Sequence, residues 1–248
     1  MTTYTAAAHV HSDWSYDGRW TLEDLARAFA KRRCAVVLMS EHDVGFDEKR
    51  WADYQAACAA AGNDTVLLVP GMEYSDKENR VHVLVWGNLP FLGEGCSTDD
   101  LLVQVARHGG SAFLAHPTRR DAWRDPTWVG RLTGVEIWNR KYDGVAPSRE
   151  ALALARAHAD LTRLYGLDFH TRRQFFPLRQ RLDVDGALTV QSVYDALSGG
   201  RFSRRALSAR PAVFETGAGL AAGRTAEYAR HRLARMLRAH AARKSRAR

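Results

Sequence analysis

The sequence predicts an α/β fold, either a barrel or a wound parallel sheet, and three observations favour this. Short apolar runs typical of strands alternate with stretches that carry apolar residues at helical spacing. Strands that are apolar throughout are expected in parallel sheets, where helices cover both faces. The length of 248 residues fits as well, because single domains of this size are mostly sandwiches or α/β barrels. Two smaller domains are the alternative.

The elements follow each other along most of the chain. Seven runs are predicted to be strands, in the order YTAAAHV, CAVVLMS, TVLLVPG, VHVLVWG, SAFLAHP, TGVEIW and TRLYGLD. Helices are predicted where apolar residues recur every three or four positions, in segments 22–29, 51–58, 98–108, 147–164 and 190–197. Residues 171–189 carry many polar side chains and are predicted to form a loop.

The composition excludes several classes of protein. An apolar content of 46% and a charged content of 26% are close to the globular average, which excludes disordered, collagenous and heptad-repeat chains. No run of 18 apolar residues is present, so no membrane span is predicted. The first residues lack the pattern of a secretory signal, and the three cysteines have no C-x-x-C spacing. We therefore expect a cytoplasmic protein with reduced thiols.

The positive charge is concentrated at the end of the chain. Residues 201–248 contain 13 Lys and Arg against 2 Glu, a net charge of +11, whereas residues 1–200 contain 23 against 26, a net charge of −3. We therefore predict a main domain over residues 1–210 and a basic Ala/Arg-rich extension, expected to be helical, over residues 211–248. The extension makes nucleic acid a possible partner, although the sequence contains no recognised nucleic-acid-binding module.

Histidines and acids concentrate at the ends of the predicted strands. His9 and His11 lie two apart in a strand, so both side chains can point to one face, and Asp168 and His170 repeat this spacing. The other residues of this kind are Asp17, His42, Glu73, His82 and His116. Strand ends converge on one mouth in an α/β barrel. Imidazole and carboxylate without cysteine suit zinc, iron or manganese, so a site for these metals is predicted.

These segments, taken in order, resemble the motifs of the PHP (polymerase and histidinol phosphatase) superfamily. The matching segments are HVHSDWSYDG, SEHD, PGMEYS, VHVLVWG, LAHP, VEIWN and GLDFH. The resemblance covers about residues 6 to 205. It implies an α/β fold of the PHP type, a distorted (β/α)7 barrel, with two or three divalent metal ions (Mn, Zn or Fe) at its mouth.

The resemblance also implies which residues hold each metal. The first would be bound by His9, His11, Glu73 and Asp168. Glu73 would bridge to a second metal bound by His82 and His116, and a third would use Asp17, His42 and His170. Glu73, His170 and Asp17 are the predicted catalytic residues. Glu41 and Leu167 stand where the family commonly has Asp and Ser, and both replacements are expected to affect the support of the ligands.

A metal cluster of this kind lowers the pKa of bound water for attack on a phosphate ester, so the resemblance implies a metal-dependent phosphoesterase. The expected substrate is a small phosphorylated metabolite or nucleotide. Residues after the motif strands are predicted to bind it, namely Arg119, Arg120, Asn139, Lys141 and Arg172. Two alternatives remain open. One is a carboxylic or carbamate ester or amide hydrolase, similar to the carbaryl-hydrolase branch of the family, and the other is a nuclease or nucleic-acid-binding protein that uses the basic extension.

Overall fold

The structure is a computed structural model that describes residues 1–117 and 127–246, with side chains described as far as residue 238. Within these ranges the chain forms eleven strands and eight α-helices. The strands belong to two sheets, and helices follow many of them along the chain. The predicted α/β fold class is therefore confirmed.

The elements have the following bounds. The strands are β1 Thr2–Val10, β2 Val36–Met39, β3 Glu41–His42, β4 Leu67–Val69, β5 Met72–Ser75, β6 His82–Trp86, β7 Ser111–Leu114, β8 Gly134–Asn139, β9 Thr162–Gly166, β10 Leu178–Val184 and β11 Phe202–Ala206. The helices are α1 Leu22–Ala30, α2 Glu48–Ala61, α3 Thr98–Arg107, α4 Arg140–Asp143, α5 Arg149–Ala157, α6 Val190–Ser198, α7 Pro211–Glu215 and α8 Gly217–Arg246.

The five-stranded sheet has the order β11-β10-β1-β2-β4, and the six-stranded sheet has the order β3-β5-β6-β7-β8-β9. Most neighbouring strands are parallel, but β6 is antiparallel to both β5 and β7, and β10 is antiparallel to β1 and β11. Ser40 alone separates β2 from β3, so these two strands follow one another across the two sheets. A bridge between Val10 and Phe169 joins the end of β1 to the segment after β9.

The predicted loop over residues 171–189 was wrong in its middle part, because residues 178–184 form β10. This strand pairs with β1 on one side and β11 on the other. Leu178, Gln180, Leu182 and Val184 are buried, whereas the residues between them are more exposed. Such alternation is the pattern of a strand with one buried face. The arginines and Asp183 on its outer face gave this segment the composition of a loop.

The fourth predicted helix was too long. It was expected over 147–164, but α5 ends at Ala157 and β9 begins at Thr162. Ser148 caps the start of α5 by accepting a hydrogen bond from the Ala151 backbone N–H. The same 147–164 range therefore contains a helix and the start of a parallel strand.

The buried apolar side chains form two clusters that use alternate positions of the strands. Ala6 and Ala8 of β1 belong to one cluster and Ala7 to the other. Helix α6 contributes Val193 and Leu197 to the first of these clusters. Apolar side chains therefore pack against both faces of β1. Close packing of this kind holds the strands, and with them the polar side chains at the strand ends, in fixed positions.

The C-terminal helix expected from the sequence is present as α8. The chain leading into it is held by Glu215, which is buried and accepts hydrogen bonds from Tyr165 Oη at 2.7 Å and Arg204 Nε at 2.8 Å. Further along, Glu227 accepts a hydrogen bond from the Val145 backbone N–H at 3.0 Å. No helix in the described part of the chain is both long and apolar enough to cross a membrane.

Candidate metal centre

Two histidines stand at the end of β1. His9 adopts a left-handed backbone conformation with φ of 61°, and the pairing of β1 with β2 shifts register between Ala8 and Val10. The Nε2 atoms of His9 and His11 lie 3.2 and 3.3 Å from Glu73 Oε2. Both side chains therefore reach the same carboxylate, although His11 lies just beyond the strand.

Glu73 lies at the centre of a cluster of five histidines and is itself buried. It comes from β5, which pairs in parallel with β3 and antiparallel with β6. One carboxylate oxygen faces three rings and the other faces two. The distances are 3.2, 3.3 and 3.4 Å from Oε2 to His9, His11 and His42, and 2.7 and 2.8 Å from Oε1 to His82 and His116.

Two aspartates complete this group. Asp168 Oδ1 lies 3.2 Å from His170 Nδ1 and 3.8 Å from His11 Nε2, so it joins the last histidine to the first pair. Asp17 Oδ2 lies 3.0 Å from His170 Nε2, and its Oδ1 lies 3.4 Å from His42 Nε2. All nine side chains predicted from the sequence as metal ligands therefore lie in one connected cluster.

The donor set fits divalent metals. Three trios have donor atoms within 4.8 Å of one another, namely His9 with Glu73 and His116, His9 with His11 and Asp168, and His11 with His42 and His170. All members of these trios are buried. His11 Nε2 is also a buried nitrogen without a hydrogen-bond partner in the described residues. Such an atom inside a group of imidazoles and carboxylates is suited to a metal ion.

The ionisation of two acids and of His11 in the cluster is compatible with ligation. Burial by itself raises the pKa of Glu73, but the histidines around it, His9 first, outweigh burial and hold the pKa well below its usual value. Asp168 behaves in the same way. Burial lowers the pKa of His11 well below its ordinary value, and the neighbouring His42 adds to this effect. Carboxylates that stay charged and a histidine that stays neutral are the protonation states that bind metals.

The backbone of the ligands departs from ordinary geometry. His9, His116 and Asp168 have φ values of 61°, 25° and 48°, a region that residues other than glycine rarely adopt. Such a conformation costs on the order of 1 to 3 kcal/mol per residue and is concentrated at functional sites. Three strained residues within one cluster of side chains indicate a functional site, because such strain lowers the stability of the fold.

Sequence reasoning missed Glu136, which lies directly behind the cluster. This fully buried residue of β8 has one oxygen 3.0 Å from His9 Nδ1 and accepts a hydrogen bond from the His116 backbone N–H at 2.8 Å with the other. A carboxylate on Nδ1 fixes which nitrogen of His9 is free to bind a metal. The signal available in the sequence was a lone acid in the apolar run TGVEIW.

Gly166 of β9 makes room for that carboxylate. A Cβ atom at this position would overlap Glu136 Oε1 and would lie 3.1 Å from the Cβ of His9. Any larger residue would therefore push Glu136 away from His9. The glycine in TRLYGLD is required by a close approach of a side chain rather than by a turn.

Glu41 supports the loop after β1. Its buried carboxylate accepts hydrogen bonds from the Ser12 backbone N–H at 3.0 Å, from Ser12 Oγ at 2.6 Å and from Ser15 Oγ. Ser15 Oγ in turn lies 3.3 Å from His11 Nδ1 and accepts a hydrogen bond from the His42 backbone N–H at 3.0 Å. The glutamate noted in the sequence thus acts on two histidines through Ser15.

The residues predicted to bind substrate lie in different surroundings. Lys141 Nζ is 3.1 Å from Asp168 Oδ1 and 3.4 Å from both ring nitrogens of His170, so it borders the cluster. Asn139 is buried and its Nδ2 donates to Glu136 and Asp168, at 2.9 and 3.3 Å. Arg172 is exposed and lies over the Trp20 ring. Arg119 and Arg120 are outside the described residues.

A cavity of about 390 Å³ adjoins the cluster, and His42 and His82 form part of its wall. The Tyr16 ring stacks on His42 at the edge of this cavity, with ring centroids 5.0 Å apart. A second cavity of about 630 Å³ shares Asp76 and Lys77 with the first, so the two are neighbours. Volumes in this range accommodate small-molecule ligands.

Three solved structures share this fold. A two-domain protein from Bacteroides vulgatus with a predicted PHP-like metal-dependent phosphoesterase is 19% identical, with 82% of this chain and 65% of that chain covered and a TM-score of 0.57. PsfC from Pseudomonas syringae is 17% identical over 84% and 93% of the two chains, with a TM-score of 0.60. The lesion-specific endonuclease PfuEndoQ from Pyrococcus furiosus is 14% identical over 83% and 58%, with a TM-score of 0.59.

These likenesses show that the chain shares its fold with proteins that include a predicted PHP-like phosphoesterase. The chain spans 65% of the Bacteroides vulgatus protein, so further parts of that protein have no counterpart in the aligned region. No family model matches the sequence, and no curated protein matches it. The shared fold and the geometry of the cluster are therefore the basis for a functional assignment.

Proposed function

We propose that the chain is a metal-dependent phosphoesterase that hydrolyses a small phosphorylated metabolite or nucleotide. The observation that carries the proposal is the Glu73 carboxylate, buried among five imidazoles with Asp168 and Asp17 beside them. Divalent manganese, zinc or iron, when bound, would supply Lewis acidity and lower the pKa of water. The fold shared with a PHP-like phosphoesterase supports this choice of chemistry.

The proposed ligands are the nine residues of the cluster, in the groups implied by the PHP resemblance. His9, His11, Glu73 and Asp168 would hold the first ion, and Glu73 would be shared with a second ion held by His82 and His116. Asp17, His42 and His170 would hold a third. The trio of His11, His42 and His170 suggests that His11 also faces this third position.

The residues of the chain would position the substrate beside these ions. Lys141 reaches Asp168 and His170 with its ammonium group, so the same group can approach a phosphate oxygen brought to the cluster. His170, whose pKa is raised to about 9 by Asp168 and Asp17 against the effect of burial, can hold a proton there in the absence of metal. The cavity beside His42 and His82 would receive the remainder of the substrate.

The proposed architecture is the distorted seven-stranded barrel. Seven barrel strands result when β2 is counted with β3 and β4 with β5 as continuous strands, and when β10 and β11 are left outside the barrel. Backbone hydrogen bonds from Leu167 N–H to Ala8 O at 2.9 Å and from Phe169 N–H to His9 O at 3.0 Å support closure between the last barrel strand and β1. The metal cluster would then lie at the mouth formed by the strand ends.

The first experiment compares three substrates at equal protein concentration with manganese present. They are p-nitrophenyl phosphate, bis-p-nitrophenyl phosphate and p-nitrophenyl acetate, each assayed before and after metal removal. We expect turnover of a phosphate that metal removal abolishes and that added metal restores. Unchanged phosphate turnover after exhaustive metal removal would overturn the proposal.

The same panel, extended by duplex DNA as a fourth substrate, tests the two alternatives. Cleavage of the acetate alone would favour the carboxylic or carbamate ester hydrolase. Metal-dependent cleavage of duplex DNA, with no turnover of small phosphates, would favour a nuclease. In that case, removal of residues 232–248 should weaken DNA binding in a salt-dependent way, because these residues carry much of the basic extension.

A further inference from the structure

Five arginines line one pocket on β10, β11 and the end of α1, away from the metal cluster. The pocket has a volume of about 350 Å³, and its wall includes Thr5, Arg32, Arg33, Arg179, Arg181 and Arg205. We call it the arginine pocket. Thr5 lies four residues before His9 in β1, which places it about 13 Å along the strand from the cluster. The pocket plays no part in the function proposed above.

The register of the sheet brings these charges together. Arg181 pairs with Thr5 of β1, and Arg179 pairs directly with Arg205 of β11. Residues two apart in a strand share a face, so Arg179 and Arg181 also lie on the same side of the sheet. Like charges directly opposite in an antiparallel pair destabilise the sheet. This arrangement is therefore unfavourable for the unliganded protein.

No carboxylate in the described residues forms an ion pair with these arginines, and Asp183, which lies on the face of β10 that carries Arg179, accepts a hydrogen bond from Thr3 Oγ1. The wall of the pocket contains no Asp or Glu. None of the five arginines forms an ion pair within 4.0 Å with any residue of the described segments 1–117 and 127–238. Burial and the neighbouring Arg32 lower the pKa of Arg179, and the thiol of Cys34 opposes this only in part.

Two of the guanidinium groups are held in place by neutral contacts. Arg32 lies 3.5 Å above the centre of the Phe175 ring and donates a hydrogen bond to Ala28 O at 2.8 Å. Arg179 donates to Leu178 O at 2.7 Å. These contacts fix the positions of the charges without neutralising them, which is the property of a preorganised anion site.

The backbone around the pocket contains residues with positive φ, as does the backbone at the metal cluster. Seven residues other than glycine have a positive φ in the described part of the chain. His9, Asn79, His116 and Asp168 belong to the metal cluster or contact it. The other three, Arg33, Leu207 and Ser208, belong to the two turns that border the arginine pocket. Strain of this kind is concentrated where a ligand is held.

We propose that the arginine pocket binds a small anion that carries two or more linked phosphate groups. Guanidinium forks match phosphate oxygens in pairs, and five uncompensated charges exceed what one phosphate can neutralise. The volume admits a di- or triphosphate group and leaves little room for a macromolecule to enter. The class is thus a polyphosphate, either inorganic or at the end of a nucleoside.

The test measures binding of inorganic tripolyphosphate by calorimetry to the full chain, after metals are removed with a chelating resin so that the metal cluster does not contribute. We expect saturable binding with one site per chain. The double variant R181Q/R205Q should bind at least about tenfold more weakly, because each guanidinium contributes a charge-assisted pair of bonds. The matched control R107Q/R149Q removes two exposed arginines elsewhere and should bind as the original chain does.

Stability provides a second readout. Without added anion, R181Q/R205Q should unfold at a higher temperature than the original chain, because two of the opposed like charges are gone. Tripolyphosphate should raise the unfolding temperature of the original chain and of the control, but not of the double variant. A variant that failed to fold would be recognised here, and the single variants R181Q and R205Q would then replace it.

Comparison of ATP, adenosine and tripolyphosphate identifies the source of the phosphates. Tighter binding of ATP than of tripolyphosphate would assign the pocket to a nucleotide, and equal binding would assign it to the phosphate chain alone. Equal tripolyphosphate affinity in the original chain and the double variant would overturn the proposal. So would duplex DNA that binds through these arginines while tripolyphosphate does not.

Discussion

Glu73 and Glu215 are both buried carboxylates surrounded by basic side chains, but the partners differ in kind. Glu73 faces five imidazoles, which can lose a proton and bind a metal. Glu215 faces the guanidinium groups of Arg163 and Arg204 and the hydroxyl of Tyr165. Guanidinium remains charged and does not bind metals. The first environment is suited to exchange ligands, and the second is suited to hold the chain leading into α8.

The largest effect on metal binding and turnover is expected from Glu73→Gln. The amide keeps the size of the side chain but loses the charge that the imidazoles and the proposed ions share. We expect loss of bound metal and a decrease in turnover of about 10³-fold, since metal contributes several kcal/mol to the transition state. Metal content by elemental analysis and phosphate turnover measure this. The control His158→Ala changes an exposed histidine and should leave both unchanged.

Glu215→Gln should lower the stability of the fold and leave metal binding unchanged. Removing one partner of a buried ion pair leaves charge uncompensated, so we expect the free energy of unfolding to fall by about 3 kcal/mol. Turnover per folded molecule and metal content should remain as they were. Denaturant unfolding and metal analysis on the same sample separate the two effects. Loss of metal in this variant would contradict the division between the two carboxylates.

Glu136→Gln tests whether the carboxylate that contacts His9 contributes to metal binding. The carboxylate that holds His9 Nδ1 becomes an amide, so we expect the metal affinity or the turnover to fall by about 10- to 100-fold. Titration of the metal-free protein with manganese, followed by phosphate turnover, measures both quantities. Glu48→Gln, an exposed glutamate in the first turn of α2, is the matched control. Normal metal affinity would show that His9 needs no such partner.

The smallest expected effect is the pH dependence of the stability that Glu215 contributes. Burial by itself raises its pKa, but Arg204 outweighs burial and lowers the pKa below the ordinary value of 4.5. The stabilisation is therefore fully present above pH 4.5 and is lost as the pH falls through the lowered pKa. Urea unfolding of the original chain and Glu215→Gln at about pH 6 and about pH 4 should give a smaller difference at the lower pH.

The sequence predicted the grouping of the histidines and acids better than the sheets around it. Polar residues such as Glu73 and His82 stand out within apolar strands, so their grouping could be foreseen from the strand ends alone. Glu136 stands in an equally apolar run, but its role depends on the approach of His9 across Gly166, which is a contact between distant residues. β10 was missed because one of its faces is arginine-rich, and its pairing with β1 joins residues about 180 positions apart. Long-range pairing and the space left by one glycine are not encoded in local patterns.

The left-handed conformations of His9, His116 and Asp168 have a consequence for the evolution of the chain. Glycine adopts this conformation at a lower cost than histidine or aspartate, because it has no Cβ atom. Selection for thermal stability alone should therefore enrich glycine at these three positions, and selection for turnover should remove it again. The two selections would favour different residues at the same positions. This is the trade-off expected where stability is reduced in favour of activity.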